Sequence, residues 1–251
     1  MNTTMVRSPR FDVLYEDNHL LVVTKPAGIP TQGVSRDTTS VLSLAREYLK
    51  RKYHKPGNVY VGIVSRLDAP VSGVLVLART SKAARRLSEQ FRSHTVHKRY
   101  WAVVEGVIHR NGGTLADWIR WNESQRRGQV VALGTPAAQT ARLSYRCLAT
   151  MSGFSLLEVE LETGRKHQIR VQLSHRGWPV VGDERYGSAR RFAGGIALHA
   201  RILELNHPTS GKRLSFVSPL PVQWAALGVR EPMPDGTEDK REEGLPSDAT
   251  G

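Results

Sequence analysis

Short runs of β-branched and large apolar residues recur along most of this chain, and they constrain the fold more than any other feature. They predict strands at residues 18–24, 59–64, 73–78, 100–104, 129–133, 141–148, 154–161, 196–205 and 213–217. Only three short segments have a helical pattern: one capped by Ser40, one opened by Ser81, and residues 164–174. Many strands with few helices predict a large mixed or antiparallel sheet in an α+β domain, and they argue against a doubly wound fold.

Charge divides the chain into a basic body and an acidic end. The formal net charge is +13, yet residues 231–251 hold seven acidic and two basic side chains, which leaves a body of roughly +18. We therefore expect a short N-terminal arm at residues 1–10, one folded body at 11–228, and a disordered acidic tail at 229–251. A polyanion is the natural partner of such a body, although a charge that serves only solubility remains an alternative.

Several classes of protein are excluded by what the sequence lacks. No run approaches the roughly 18 consecutive apolar residues of a membrane helix, and the first ten residues have no apolar export signal. Cys147 is the only cysteine, so neither an internal disulfide nor a four-cysteine zinc site can form. We therefore expect a cytoplasmic protein that does not associate with membranes.

Three segments carry residues capable of chemistry. The first is Lys25-Pro-Ala-Gly28, whose turn chemistry alone favours a structural turn over a functional segment. The second carries Asp68 in a loop stiffened by Pro70 and Gly73, where a lone aspartate is more often a turn cap than a catalytic group. The third, Gly164 to Arg170, has the composition of a basic helix N-terminus that binds phosphate, and it does not resemble a divalent-metal cage.

Taken together and in this order, the motifs resemble those of the RluA-type pseudouridine synthases over roughly Leu14 to Pro221. The matching motifs are Lys25-Pro-Ala-Gly28, Arg66-Leu-Asp68 with Ser72-Gly-Val-Leu-Val-Leu-Ala78, Lys98-Arg-Tyr100, and Gly164-Arg-Lys-His-Gln-Ile-Arg170, with Gly182-Asp183 and Leu198-His-Ala200 downstream. The chain departs from the family at Ser65, where a histidine is usual, and at Ala69-Pro70-Val71, where Arg-Asp-Thr is common.

The resemblance implies a pseudouridine synthase fold with a central catalytic cleft, and isomerisation of a uridine in structured RNA without cofactor or metal. By position, Asp68 matches the catalytic aspartate and attacks the ribose C1′ or the base C6, or assists glycosidic cleavage. Arg170 is expected to pair with Asp68, Tyr100 to stack on the uracil and aid the final proton transfer, and Leu198 to form an apolar wall. Ribosomal and transfer RNA are both implied as substrates, and a monomer is expected.

The resemblance also points to RNA-binding residues outside this catalytic set, namely Lys25, Arg66, Arg165, Lys166 and His167. If its segment is extended, we expect Arg66 to face away from the pocket and to fill the position that the flipped-out uridine leaves; a salt bridge is the alternative. His167 touches RNA, buttresses Arg170 from the same helix face, or caps the turn.

Two other functions remain open from the residues alone. A non-catalytic RNA-binding protein would have no need to retain Asp68, Tyr100 and Arg170 together. A metal-dependent nuclease would need clustered carboxylate or histidine ligands, which the sequence does not show. Only about ten residues precede the first strand, so we also expect no S4-type RNA-binding domain.

Overall fold

A computed structural model describes residues 11–33 and 38–231. The predicted N-terminal arm at 1–10 and residues 232–251 of the predicted tail lie outside these ranges. Residues 229–231 are described and pack on the body, because Val229 is buried and the Glu231 carboxylate pairs with Arg201. In the described ranges, no helix has the length and apolar character needed to cross a membrane.

One mixed sheet dominates the described structure. Its strands are β1 (Asp12–Glu16), β2 (Leu20–Lys25), β3 (Gly62–Ile63), β4 (Ser72–Ala78), β5 (His97–Glu105), β6 (Gly112–Asn122), β7 (Arg127–Val131), β8 (Gln139–Met151), β9 (Phe154–Leu161), β10 (Leu198–Asn206) and β11 (Arg213–Val217). The order is β1-β2-β4-β10-β5-β9-β8-β6-β7, with β3 beside β4 and β11 beside β10. Neighbours are antiparallel except β4 and β10, which are parallel. The predicted α+β class is therefore confirmed.

Within the described residues three α-helices accompany the sheet: α1 (Val41–Lys52), α2 (Ser81–Arg92) and α3 (Gln168–His175). The predicted cap of α1 is confirmed, because Ser40 and Ser43 form a reciprocal capping box. Helix α2 begins at Ser81 as predicted, and its cap is Thr80, whose hydroxyl accepts the Ala83 N–H. Helix α3 starts at Gln168, later than predicted, because His167 has a left-handed backbone with φ of 58° that a right-handed helix cannot include.

The core follows the strand patterns of the sequence. Every residue of β4 is buried, which explains its continuous apolar run. In β9, Leu157 and Val159 are buried while Glu158 and Glu160 are partly exposed, so the predicted wet face is confirmed.

Some strands differ from the sequence prediction. Of the run predicted at residues 59–64, only Gly62–Ile63 pairs as a strand, although Val59 and Val61 are buried. Strands β1 and β6 were not predicted. Strand β6 begins with two glycines, and its pairing with β7 and β8 stabilises it in place of local propensity.

Candidate active site

A cavity of about 460 Å³ opens where the β4 and β10 ends, the Asp68 loop and the start of α3 meet. This volume lies within the usual range of small-molecule sites. Most of the residues predicted to form the site line it: Arg66, Asp68, Tyr100, Arg165, His167, Arg170 and Leu198. Lys25 and Lys166 do not line this cavity.

The loop that carries Asp68 is held through its backbone on both sides of that residue. The Thr31 hydroxyl donates to the Leu67 carbonyl at 2.8 Å and accepts the Leu67 N–H at 3.1 Å. The carbonyl of Ala69 accepts the Gly28 N–H at 2.8 Å. Further on, Gly73 has a φ of +121°, and a Cβ there would collide with the Ala200 backbone. The parallel contact between β4 and β10 therefore requires this glycine.

Lys25 lies behind the loop and not at the RNA-facing surface, which corrects its expected role in RNA binding. Its side chain is fully buried, and Nζ donates to the carbonyls of Pro26, Ile29 and Ala69 at 2.9, 2.7 and 3.1 Å. Burial lowers the pKa of Lys25 to about 7, although the nearby charge of Asp68 opposes this shift. An amine so enclosed cannot reach a phosphate, and it ties the Lys25–Gly28 turn to the Asp68 loop.

Arg170 joins two carboxylates from different parts of the chain. Its Nη1 donates to Asp68 Oδ2 at 2.9 Å, while Nε and Nη2 donate to the two oxygens of Asp183 at 2.6 and 2.9 Å. Burial opposes the charge of Arg170, but the two carboxylates raise its pKa. The guanidinium therefore stays charged beside Asp68, whose side chain remains 28% exposed at the cavity.

His167 lies between two aromatic rings at the same wall. The rings of Trp121 and Tyr186 meet its imidazole edge to face, with centroids 5.2 and 5.6 Å away. Its Nδ1 is 2.8 Å from the Tyr186 hydroxyl, and its Nε2 is 3.5 Å from Asp68 Oδ2. Burial lowers the pKa of His167 to about 4, so the imidazole is neutral at pH 7. The side chain of His167 is only 9% exposed, and its Nε2 faces Asp68.

Tyr100 and Leu198 come from neighbouring strands β5 and β10. Tyr100 is opposite Ala200 in the register of these strands, and Leu198 is buried two residues earlier on β10. Burial and the charge of Asp68 raise the pKa of Tyr100, so its phenol is protonated at neutral pH. The two side chains form an apolar wall with a hydroxyl group.

Of the remaining predicted residues, Arg66 and Arg165 form the basic rim of the cavity, and Lys166 follows Arg165 without lining it. Arg66 is exposed and lines the same cavity as Asp68. The segment is a loop and not an extended strand, so Arg66 does not face away from the cavity as expected. Across the described ranges no carboxylate pairs with Arg66. Arg165 Nε donates to the Thr140 carbonyl at 2.9 Å, and Lys166 Nζ lies 3.4 Å from the centre of the Trp121 ring.

Asp183 and Tyr186 had no predicted role, yet they hold Arg170 and His167. Asp183 belongs to the Gly182-Asp183 motif, which was the available signal, whereas nothing in the local sequence distinguishes Tyr186 from a core aromatic. Among the residues that the structure describes, no group of three His, Cys, Asp or Glu side chains could hold a metal ion.

Comparison with known proteins identifies the family. Residues 19–175 match the model of the RNA pseudouridylate synthase family. The chain is 38% identical to ribosomal large subunit pseudouridine synthase D of Pseudomonas aeruginosa, over 86% of this chain and 70% of that protein. It is 32% identical to tRNA pseudouridine synthase C of Yersinia pestis, over 86% of this chain and 89% of that protein.

A solved structure supports the same assignment. Human RNA pseudouridylate synthase domain containing 4 is 25% identical and superposes with a TM-score of 0.73, covering 88% of this chain and 95% of the human one. The predicted RluA-type resemblance, fold and enzyme class are confirmed. The chain therefore belongs to the RNA pseudouridylate synthase family, and its activity is the isomerisation of uridine in RNA to pseudouridine.

Proposed function

We propose that Asp68 is the catalytic carboxylate of this isomerisation. The observation that carries the proposal is its position: it is the partly exposed acid of the cavity, and Arg170 holds it at 2.9 Å. In the reaction the bond between ribose C1′ and uracil N1 breaks, the base rotates, and C5 bonds to C1′; C5 then loses its proton and N1 gains one, so the atoms of uridine are conserved. A carboxylate held by a buried cation can attack the ribose C1′ or uracil C6, or stabilise the ribose as the bond breaks.

Tyr100 and Leu198 enclose the base in this proposal. The detached uracil must stay in the cavity while it rotates, and a wall of one aromatic and one aliphatic side chain retains it without fixing its orientation. The raised pKa keeps the Tyr100 phenol protonated, so this residue cannot accept a proton before the reaction starts. In this neutral form its ring stacks on the base.

The cations beside the cavity contact RNA in this proposal. Arg165 and Lys166 follow each other beside the cavity, and Lys166 covers the Trp121 ring, so both can meet phosphates near the target. Arg66 is exposed on the Asp68 loop and has no ion-pair partner in the described part of the chain. We assign it to the space that the flipped-out uridine leaves in a structured RNA.

The substrate that we propose is ribosomal large-subunit RNA, with transfer RNA as the second candidate. The relatives named as large-subunit synthases reach 38% identity, whereas those named as tRNA synthases reach 33%. We also propose that the protein works as a cytoplasmic monomer without cofactor or metal. An isomerisation conserves the atoms and oxidation state of uridine, so the chemistry requires no redox partner.

Tritium release from RNA that carries 5-tritiated uridine tests the role of Asp68, because the C5 proton is lost in each turnover. We expect release in the presence of EDTA, and a fall of about 10³-fold or more in Asp68→Asn, which keeps the shape but removes the charge. Glu47→Gln, at an exposed ion pair of α1, is the matched control and should react normally. Full activity of Asp68→Asn, or loss of activity with EDTA, would contradict the proposal.

Mapping of pseudouridine in total RNA tests the substrate class. Cells with and without the gene should differ at a position in large-subunit ribosomal RNA, and expression of wild-type protein should restore it. A difference confined to transfer RNA would select the second candidate.

A further inference from the structure

The two oxygens of Asp68 have different surroundings. Both Arg170 Nη1, at 2.9 Å, and His167 Nε2, at 3.5 Å, approach Oδ2. In residues 11–33 and 38–231 no donor makes a hydrogen bond to Oδ1. Arg170 makes a hydrogen bond to Oδ2, and His167 Nε2 makes only a longer contact with the same oxygen, so Oδ2 is less available for reaction than Oδ1.

The hydroxyl of Tyr186 determines what His167 can present to Asp68. This oxygen accepts the Gly128 N–H at 2.8 Å and lies 2.8 Å from His167 Nδ1. A phenol has one proton to donate, and donating it to Nδ1 places the imidazole proton on Nε2, opposite Oδ2. The other tautomer would direct the Nε2 lone pair at a carboxylate, which is repulsive.

The surrounding packing leaves His167 little freedom to turn. Trp121 and Tyr186 enclose its ring from two elements, and its left-handed backbone fixes where the side chain leaves the chain. The charged groups that face it are Asp68, Arg170, Arg185 and Lys166. Burial lowers the pKa of His167 most, Asp68 opposes this shift and the three cations add to it, so the imidazole stays in its neutral form.

We infer that Tyr186 fixes the tautomer of His167, and that His167 is a positioning residue that holds Oδ2 of Asp68 and leaves Oδ1 to face the uridine. The inference rests on the proposed catalytic role of Asp68. It assigns His167 to the orientation of the carboxylate, where the sequence suggested RNA contact or support of Arg170. Tyr186 acts on His167 through its hydroxyl group, which lies 2.8 Å from Nδ1.

Nitrogen NMR of 15N-histidine-labelled protein tests the tautomer without any RNA. At pH 7 we expect His167 to carry its proton on Nε2, and we expect the fraction of this tautomer to fall in Tyr186→Phe, which removes one oxygen and leaves Asp68 as the only group that favours it. A proton on Nδ1 in the wild type, or an unchanged tautomer in Tyr186→Phe, would overturn the inference. This measurement is independent of whether Asp68 proves to be the catalytic group, so the two failures are distinguishable.

Kinetics on a tritiated RNA test the consequence for Asp68. His167→Leu and His167→Gln pay a similar cost for the left-handed backbone, but only glutamine can place an N–H near the position of Nε2. We expect kcat to fall about tenfold or more in the leucine variant, with KM within about twofold of wild type, and to recover in part in the glutamine variant. Equal losses in both variants would contradict a donor role for His167.

Discussion

The two sides of the active site hold their key residues by different means. On the loop side, Asp68 sits between Leu67 and Ala69, whose backbone groups bond to Thr31, Gly28 and Lys25. On the helix side, Arg170 at the start of α3 is held by charged side chains, chiefly the two oxygens of Asp183.

The loop side therefore fixes the position of Asp68, and the helix side fixes the orientation of its carboxylate. Backbone bonds to the neighbours of Asp68 fix where its Cα lies, but they leave its side chain free to turn. The charges on α3 then fix how the carboxylate turns, because Arg170 must satisfy Asp183 and Asp68 together. A change on one side should therefore alter a different property from a change on the other.

Asp183→Asn tests the helix side and should have the largest effect on stability. Its carboxylate is 2% exposed and pairs with an arginine that is 5% exposed, so the substitution leaves a buried cation with one carboxylate in place of two. We expect the free energy of unfolding to fall by about 3 kcal/mol, and tritium release to fall at least about tenfold as Arg170 shifts. Denaturant unfolding and the tritium assay measure the two losses.

Glu204→Gln is the control for this prediction. Glu204 also joins two arginines, Arg99 and Arg213, but it lies 27% exposed on β10. Glu204→Gln should lower the free energy of unfolding by no more than about 1 kcal/mol and leave tritium release unchanged. Equal losses of stability in the two variants would mean that burial of the Arg170 pair is not what matters.

Local sequence patterns predicted the parts of this fold that depend on near neighbours. The Ser40 cap, the buried run of β4 and the alternation of β9 each follow from residues within a few positions. Strand β6 and the late start of α3 did not, because both depend on contacts distant in sequence. Strand β6 is held by two partners, and the left-handed His167 is enclosed by Trp121 and Tyr186.

The site shows the same division. Motif resemblance brought Asp68, Tyr100, Arg170 and Leu198 together, and the structure places all four at one cavity. It did not reveal that Lys25 faces inward, because a lysine next to a proline and a glycine reads as exposed until the Asp68 loop is packed over it. Burial of a cation is a tertiary property, and no period or spacing in the sequence encodes it.

Lys25→Met tests the loop side through its pH dependence. The pKa of Lys25 is about 7 in the folded protein and about 10.4 in an unfolded chain, so unfolding between these pH values takes up a proton. Wild-type stability should therefore rise with pH above 7, by up to about 2 kcal/mol between pH 7 and 8.5 relative to Lys25→Met. Below pH 7 both states bind the proton, and the two proteins should show parallel curves.

Urea unfolding at a series of pH values measures this difference. Lys55→Met, at an exposed lysine after α1, is the matched control and should follow the wild-type curve. Parallel curves for wild type and Lys25→Met above pH 7 would show that Lys25 stays charged when buried. Its three carbonyl acceptors would then outweigh desolvation, and the loop would be held by an ammonium group.

Arg66→Ala should have the smallest effect on stability, although the residue lies on the same loop as Asp68. Its exposed guanidinium has no ion pair to lose among the described residues, so unfolding should change by less than about 0.5 kcal/mol. Tritium release should fall about tenfold on a folded RNA, where the flipped-out base leaves a gap, and remain normal on an unstructured oligonucleotide. Arg165→Ala, which removes the proposed phosphate contact at the rim, should lower tritium release from the folded RNA and from the oligonucleotide by similar factors. If Arg66→Ala loses activity on both RNAs, as Arg165→Ala does, then Arg66 is one more phosphate contact. If Arg66→Ala reacts normally on folded RNA, the loop serves only to position Asp68.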